Sequence, residues 1–193
     1  DIGVSRGLGD VYKRQAYRDG SVKSERGNVG NAQITGIESL FDFDVNEIIF
    51  KNDNIDFNIF FNYSYIESKY LKSDEVGITN KEVEFVPKNN IKTGLKFGYK
   101  DFAINFQYSY LASQFTDSSN AKSGNLSGVI GLIPEYDILD FGCSYDMDSI
   151  ILEAGVNNIF DNAYFTRRAT GYPGPGIIPS PPRNFYLTIQ YNF

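Results

Sequence analysis

The feature that most constrains this chain is a period of two. Residues 102–110 place Phe102, Ile104, Phe106, Tyr108 and Tyr110 against Ala103, Asn105, Gln107 and Ser109. Residues 185–193 repeat it, with Phe185, Leu187, Ile189, Tyr191 and Phe193 opposed by Tyr186, Thr188, Gln190 and Asn192. In residues 55–65 the odd positions are Ile55, Phe57, Ile59, Phe61, Tyr63 and Tyr65, and only Phe60 interrupts the polar even series. Successive side chains of a strand point to opposite faces, so this pattern specifies strands with one apolar and one polar face. Weaker runs begin at Ile37, Ile91, Leu139 and Ile150. No charge falls on any apolar face. The expectation is an all-β fold of about seven antiparallel meander strands, most of them near the roughly 9–11 residues of a tilted membrane strand.

Alternation alone leaves open whether the apolar face points into a soluble core or out to lipid. The polar face is rich in Asn, Gln, Ser, Gly and Thr, which suits a watery or plugged lumen. Tyr63, Tyr65, Tyr99, Tyr108, Tyr110, Tyr145, Tyr191 and Phe193 gather towards strand ends, as aromatic girdles do. No apolar run approaches the roughly 18 residues of a membrane helix, which excludes helical spanning only. The order of the connections argues further for lipid. Short links at 46–54, 100–101 and 146–149 alternate with long polar or Pro/Gly-rich links at 67–89, 112–134 and 161–183. Short turns then gather at one end and long loops at the other, as in outer-membrane barrels.

Composition removes several chemistries. The chain has no histidine and one cysteine among its 193 residues, so His-based catalysis, a Cys/His zinc cluster and an internal disulfide are excluded. Its net charge of −6 argues against a nucleic-acid partner. No catalytic residue, cofactor or metal site is expected. Outer-membrane hydrolases need a nucleophile and a base, and the lack of histidine weighs against that class.

Residues 1–15 (DIGVSRGLGDVYKRQ) show neither periodicity and read as translated linker or adapter sequence, with a flexible native terminus as the plainer alternative. Residues 16–193 are then the barrel portion. Seven strands cannot close a bacterial single-chain barrel, which takes an even number from eight upwards. The expectation is a fragment whose remaining strands lie upstream.

The segment Gly155-Val156-Asn157-Asn158-Ile159-Phe160-Asp161-Asn162-Ala163-Tyr164 resembles the C-terminal signature of TonB-dependent outer-membrane receptors, G-x-N-N-x-F-D-x-x-Y. In that family it ends the penultimate strand, and a last strand closes on a terminal aromatic, here Tyr191 and Phe193. Residues 28–38 (NVGNAQITGIE) are similar to a family strand start, and Val86-Pro87 fits a third recurring position. Residues 164–176 look like the last extracellular loop of ferric-citrate-type receptors as found in Bacteroidetes. The resemblance implies the last third of a 22-stranded, plugged barrel in the outer membrane of a Gram-negative bacterium. It implies import of an iron chelate, energised by the TonB complex through a part of the protein outside this chain. It also implies three further partners: lipid, the plug and strands of the same protein, and the barrel assembly machinery through the C-terminal strand. The alternative function is a ligand-binding module, either a soluble barrel or a small outer-membrane one.

Within the last loop, Arg167, Arg168 and Tyr172 are the ligand-binding candidates, because the Arg fork pairs bidentately with carboxylates. Their other reading is a pair of solvated arginines matched to Asp161 or to lipopolysaccharide. Lys92 and Lys96 share the lumen face with Asp42, Asp44, Asp56, Asp140 and Glu153, where they either line a ligand path, grip the plug, or form cross-strand ion pairs. Asp74, Glu75, Glu82, Glu84 and Asp117 lack calcium-loop spacing and read as a solvated charged surface. Cys143 is expected on the lipid face as a small apolar residue.

Overall fold

The computed structural model describes residues 2–7, 12–16, 22–26, 30–169 and 175–192, with side chains from residue 30 onward. Twelve strands occur among them: β1 Ile2–Gly7, β2 Tyr12–Ala16, β3 Val22–Arg26, β4 Gly30–Asp44, β5 Ile55–Ser73, β6 Asn89–Tyr99, β7 Phe102–Leu111, β8 Tyr136–Met147, β9 Ile150–Asn157, β10 Phe165–Ala169, β11 Gly176–Pro179 and β12 Asn184–Tyr191. Eight form one antiparallel sheet in the order β1-β4-β5-β6-β7-β8-β9-β12, and β2-β3 and β10-β11 are separate hairpins. All seven expected strands are in the large sheet. Its eighth, β1, comes from the segment the sequence sets apart, and it pairs Ile2–Gly7 against residues 34–39 of β4. An open strand edge presents unpaired N–H and C=O groups to any extended segment near it.

Beyond a bulge at Asn31/Ala32, register carries the alternation across the sheet without a slip. One row runs Phe43, Ile59, Leu95, Phe106, Phe141, Val156 and Phe185. The neighbouring row on the other face runs Asp44, Asn58, Lys96, Asn105, Gly142, Gly155 and Tyr186. The apolar row is tied by ring contacts such as Phe106–Phe141, 4.8 Å between centroids. It also stays open to the surroundings on strands with neighbours on both sides: Phe41, Phe43 and Phe61 are 42%, 49% and 37% exposed. Among the described residues the buried apolar side chains are Ala32, Tyr70, Ile78, Ala112 and Ile133. All lie at the long-loop end, and none on the apolar sheet face. A soluble sandwich or barrel would bury that face, so the exposure favours lipid.

The girdles follow from the same register. Tyr63 aligns with Ile91 and Tyr110 at the loop end, and Tyr99 with Phe102 and Tyr145 at the turn end. The eight steps from Phe102 to Tyr110 cover about 27 Å at roughly 3.4 Å per residue, enough for a tilted strand to cross hydrocarbon. Phe60, the one interruption in its run, sits on the polar face over Gly94. A Cβ on Gly94 would lie 2.5 Å from its ring, so the glycine gives the room the ring needs.

Strand limits differ from the sequence reading. β5 continues to Ser73 and β4 begins at Gly30, paired residue for residue apart from a bulge at Asn31/Ala32. The β5–β6 link therefore covers residues 74–88 and not 67–89. Alternation fades after Tyr65 because a strand beyond the lipid band has no face that must be apolar. The last long link contains the β10-β11 hairpin, and the β4–β5 link contains a π-helical turn, Asn46–Phe50. Phe193, Tyr172 and the residues around Tyr172, like residues 28–29, lie outside the described residues.

The orientation predicts an asymmetry. In the intact gene product refolded into phospholipid vesicles, Phe106→Arg or Leu187→Arg should lower unfolding stability by about 2–4 kcal/mol where those positions meet mid-bilayer lipid. Asn105→Arg, one residue away on the opposite face, should cost far less. The reverse order in urea titrations would invert the two faces.

Candidate functional site

Most of the candidate side chains gather at the long-loop end, where the links after β5, β7 and β9 meet. The junction after β9 is built by the asparagines of the C-terminal box. Asn158 is 2% exposed and takes a left-handed backbone conformation (φ 55°), which Asn adopts more readily than most residues. Its N–H donates to Asp140 Oδ1 (2.8 Å), its Nδ2 to the Asn162 carbonyl (2.9 Å), and its Oδ1 accepts from the Asn162 N–H (3.1 Å). Asn162 Nδ2 in turn donates to the Asp137 carbonyl and to Asp137 Oδ1, at 2.9 and 3.0 Å.

Each remaining box residue has a place in this junction. Asp161, also left-handed at φ 56°, accepts the Arg183 N–H on Oδ1 at 3.0 Å and so sets the start of β12. Asn157 Nδ2 donates to Asn184 Oδ1 (2.9 Å) across the final strand pair. Tyr164 stacks on Tyr136 with 4.7 Å between centroids. Gly155 lies beneath the Tyr186 ring, where a Cβ would come within 2.5 Å. Phe160 is about half exposed. The box thus turns the chain out of β9 and aims the last loop.

The two candidate arginines separate. Arg168, on β10, donates from Nη1 to the Gly128 carbonyl and from Nη2 to the Leu132 carbonyl, both at 2.9 Å. Its guanidinium lies 5.2 Å from the Phe165 ring centroid, and its Nε is buried without a partner among the described residues. It therefore clasps the last hairpin to the β7–β8 link. Arg167 is exposed on the same strand. The β7–β8 link is braced from within by Thr116, whose Oγ1 donates to the Gly131 carbonyl (2.8 Å) and accepts the Gly131 N–H (3.0 Å). Buried Ile133 forms a bridge with Gln114.

The β5–β6 link is pinned by Tyr70, 1% exposed on the part of β5 beyond the lipid band and packed with Ala32 and Ile78. Its hydroxyl donates to Glu84 Oε2 at 2.6 Å. Burial, with the Glu84 carboxylate beside it, pushes the phenol well above its ordinary range. A cavity of about 270 Å³ beside this link is lined by the charged residues Glu67, Lys69, Glu82 and Lys88. Asp117 is engaged in its own turn through Ser119, and among the described residues no group of three or more His, Cys, Asp or Glu could hold a metal ion.

On the lumen face, Lys96 Nζ pairs with Asp56 Oδ2 at 2.6 Å, while Asp140 is committed to Asn158. Lys96 also borders a shallow concavity of about 510 Å³ lined by Asp42, Asn58, Phe60, Asn105 and Gln107. Cys143 pairs with Ile104 and Ala154 in the apolar rows, as expected. The partners of the box, namely Asp137, Asp140, Tyr136 and Asn184, carry no signal in their own local sequence. Only the register that brings β8 and β12 beside β9 reveals them.

Residues 7–159 match the family model described as "TonB dependent receptor-like, beta-barrel". Among solved structures, the chain is similar to the ferric citrate transporter FecA in its unliganded form. That likeness has 26% identity and a TM-score of 0.73, over 85% of this chain and 25% of the other. The ferric yersiniabactin uptake receptor FyuA from Yersinia pestis matches at 16% identity and a TM-score of 0.68, over 88% and 25% of the two chains. The ferric preacinetobactin receptor BauA from Acinetobacter baumannii matches at 15% identity and a TM-score of 0.71, over 100% and 27%. The chain spans about a quarter of the length of these structures.

The clasp predicts a split between neighbours. Arg168→Lys keeps the charge but loses the fork, and should speed hydrogen exchange at amides 125–132 by about tenfold, the equivalent of one charged hydrogen bond of roughly 1.4 kcal/mol. Arg167→Lys should leave that exchange unchanged. Equal effects would remove the clasp.

Proposed function

The chain belongs to the TonB-dependent receptor β-barrel family, and from that premise we propose that it is the C-terminal part of a receptor taking up an iron chelate across the outer membrane. The family is one of receptors and transporters rather than enzymes, and its barrels reside in the outer membrane of Gram-negative bacteria. The observation that carries the uptake reading is the likeness to a ferric citrate transporter over most of this chain. Its support is broadened by similarity to receptors for ferric yersiniabactin and ferric preacinetobactin.

In this reading the barrel wall of the present chain closes with upstream strands around a plug. The TonB complex acts through that missing part, and the C-terminal strand, with Tyr191 and Phe193, is what the barrel assembly machinery recognises. The proposed ligand is a ferric carboxylate such as ferric citrate. Exposed Arg167, with Tyr172 in the same loop, is the group best disposed to meet such an anion, since Arg pairs bidentately with carboxylates. Arg168 would act on the ligand through loop position.

Cells carrying the intact gene should accumulate radiolabelled ferric citrate, and lose most of that uptake on deletion of the gene. Arg167→Ala should weaken uptake at low citrate with less effect at saturation. Undiminished uptake after deletion would remove citrate as the ligand while leaving the family assignment in place.

We also propose that residues 1–15 are linker-derived, on the absence of any alternation in them. The family match begins at residue 7, within that segment. That start speaks against the proposal, which rests on the sequence pattern alone and expects the genomic reading frame to join this chain near residue 16, preceded by further alternating strands and a plug. A frame that encodes residues 1–15 in place would overturn the proposal.

A further inference from the structure

The link from β4 to β5 does more than turn the chain. The ladder between these strands ends at the Asp44–Asn58 pair, whereas β5 itself begins at Ile55. Beyond that pair the chain passes through the π-helical turn Asn46–Phe50, which bends back to contact β5. Its Phe50 ring lies 6.3 Å from Phe57, and Phe57 meets Phe97 edge-on at 5.8 Å. The Phe57–Phe97 pair lies deeper in the sheet than the Ile55–Tyr99 pair, where Tyr99 belongs to the turn-end girdle. Phe50 therefore reaches back to the depth of the girdle and adds to the same apolar face.

The turn is built to hold that posture. Lys51, at φ 50°, donates its N–H to the Asn46 carbonyl at 2.7 Å. The Glu47 N–H donates to Asp44 Oδ1 at 2.9 Å, and the Asn52 N–H to Asn46 Oδ1 at 3.3 Å. The side chains of Asp44 and Asn46 help close it, and Ile48, Ile49 and Phe50 stand at 66%, 66% and 49% exposure. The other two short links, Lys100-Asp101 and Asp148-Ser149, carry no apolar residue.

We propose that this turn is an interfacial anchor, with Ile48, Ile49 and Phe50 seated at the boundary of headgroups and acyl chains in the periplasmic leaflet. The occupant is phospholipid, because the apolar residues continue the lipid-facing surface through Phe50, Phe57 and Phe97 without a polar break. Lys51, next in sequence, can extend its ammonium to the headgroups while its stem lies along the apolar side. The short-turn end is the periplasmic end of an outer-membrane barrel, which sets the leaflet.

Site-directed spin labelling tests this on the intact gene product, in a background without other cysteines, in vesicles of phosphatidylethanolamine and phosphatidylglycerol. Labels are placed singly at Ile49→Cys, at Asp53→Cys in the same link, and at Ile59→Cys within the apolar rows. Relaxation by oxygen, which partitions into lipid, is compared with relaxation by a water-soluble nickel chelate. The anchor predicts an oxygen-to-nickel ratio at position 49 several-fold above that at 53 and close to that at 59. A ratio at 49 equal to that at 53 places the turn in water and overturns the proposal. Shielding of position 49 from both reagents assigns it to a protein contact and overturns it as well. A water-like value at position 59 would instead refute the membrane orientation of the whole sheet, and the anchor with it.

Discussion

Everything in this structure depends on the satisfaction of backbone hydrogen bonds where water is absent. A peptide group left unpaired in hydrocarbon costs on the order of several kcal/mol, so a strand can cross lipid only with a neighbour on each side. The sheet meets that condition from β4 to β9, each paired antiparallel on both sides, while β1 and β12 form its two edges. Because side chains alternate with a period of two, the same ladder fixes their faces. A slip of one residue at any of these pairs would turn an apolar row such as Leu95, Phe106 and Phe141 towards the lumen. Register and membrane orientation are therefore one constraint, expressed in the backbone and checked by the side chains.

The two faces solve different packing problems. Side chains on the lipid face need only be apolar and mutually in contact, and Phe, Ile and Leu interchange freely along its rows. The lumen face is concave and must accommodate large groups close to the sheet, so bulk and absence of bulk are matched: Phe60 over Gly94, and Tyr186 over Gly155 and beside Gly142. At the loop end the problem changes again. Water returns, strands overshoot, and buried residues such as Tyr70, Ile133 and Asn158 hold loops down instead of filling a central core.

How much of this was legible in the sequence follows from those differences. Strand identity, face and the asymmetry of the links were readable because the membrane imposes a strict alternation over each lipid-spanning run. The continuation of β5 to Ser73 was not, since no face beyond the band has to be apolar. The β10-β11 hairpin was hidden among Pro and Gly residues in a link whose composition reads as a loop. The π-helical turn was hidden because Ile48, Ile49 and Phe50 break period two without completing a helical period. The box was recognised by its residues, but its physical role was not. Asn158 holds Asp140 and Asn162 across a strand pair, and such contacts lie 18 and 4 residues apart in the chain. Arg167 and Arg168 look equivalent in sequence, and only the neighbouring β7–β8 link distinguishes them.

That distinction bears on where ligand selectivity resides. A ladder of backbone bonds with alternating side chains places weak demands on residue identity, which is why TM-scores of 0.68 and 0.71 accompany identities of 16% and 15%. Barrel walls this permissive can be shared by receptors for chemically different chelates, so the wall carries little information about the ligand. The information must lie where side chains are free of the ladder, in the lumen concavity and above all in the loops. There the two neighbouring arginines are placed differently. Arg168 gives up its fork to the carbonyls of Gly128 and Leu132 and ties two loops together, while Arg167 is exposed on the same strand. A loop residue that binds carbonyls of its own chain cannot offer the same donors to an anion. Selectivity for a ferric carboxylate would then depend on the first arginine for contact and on the second for the geometry of that contact.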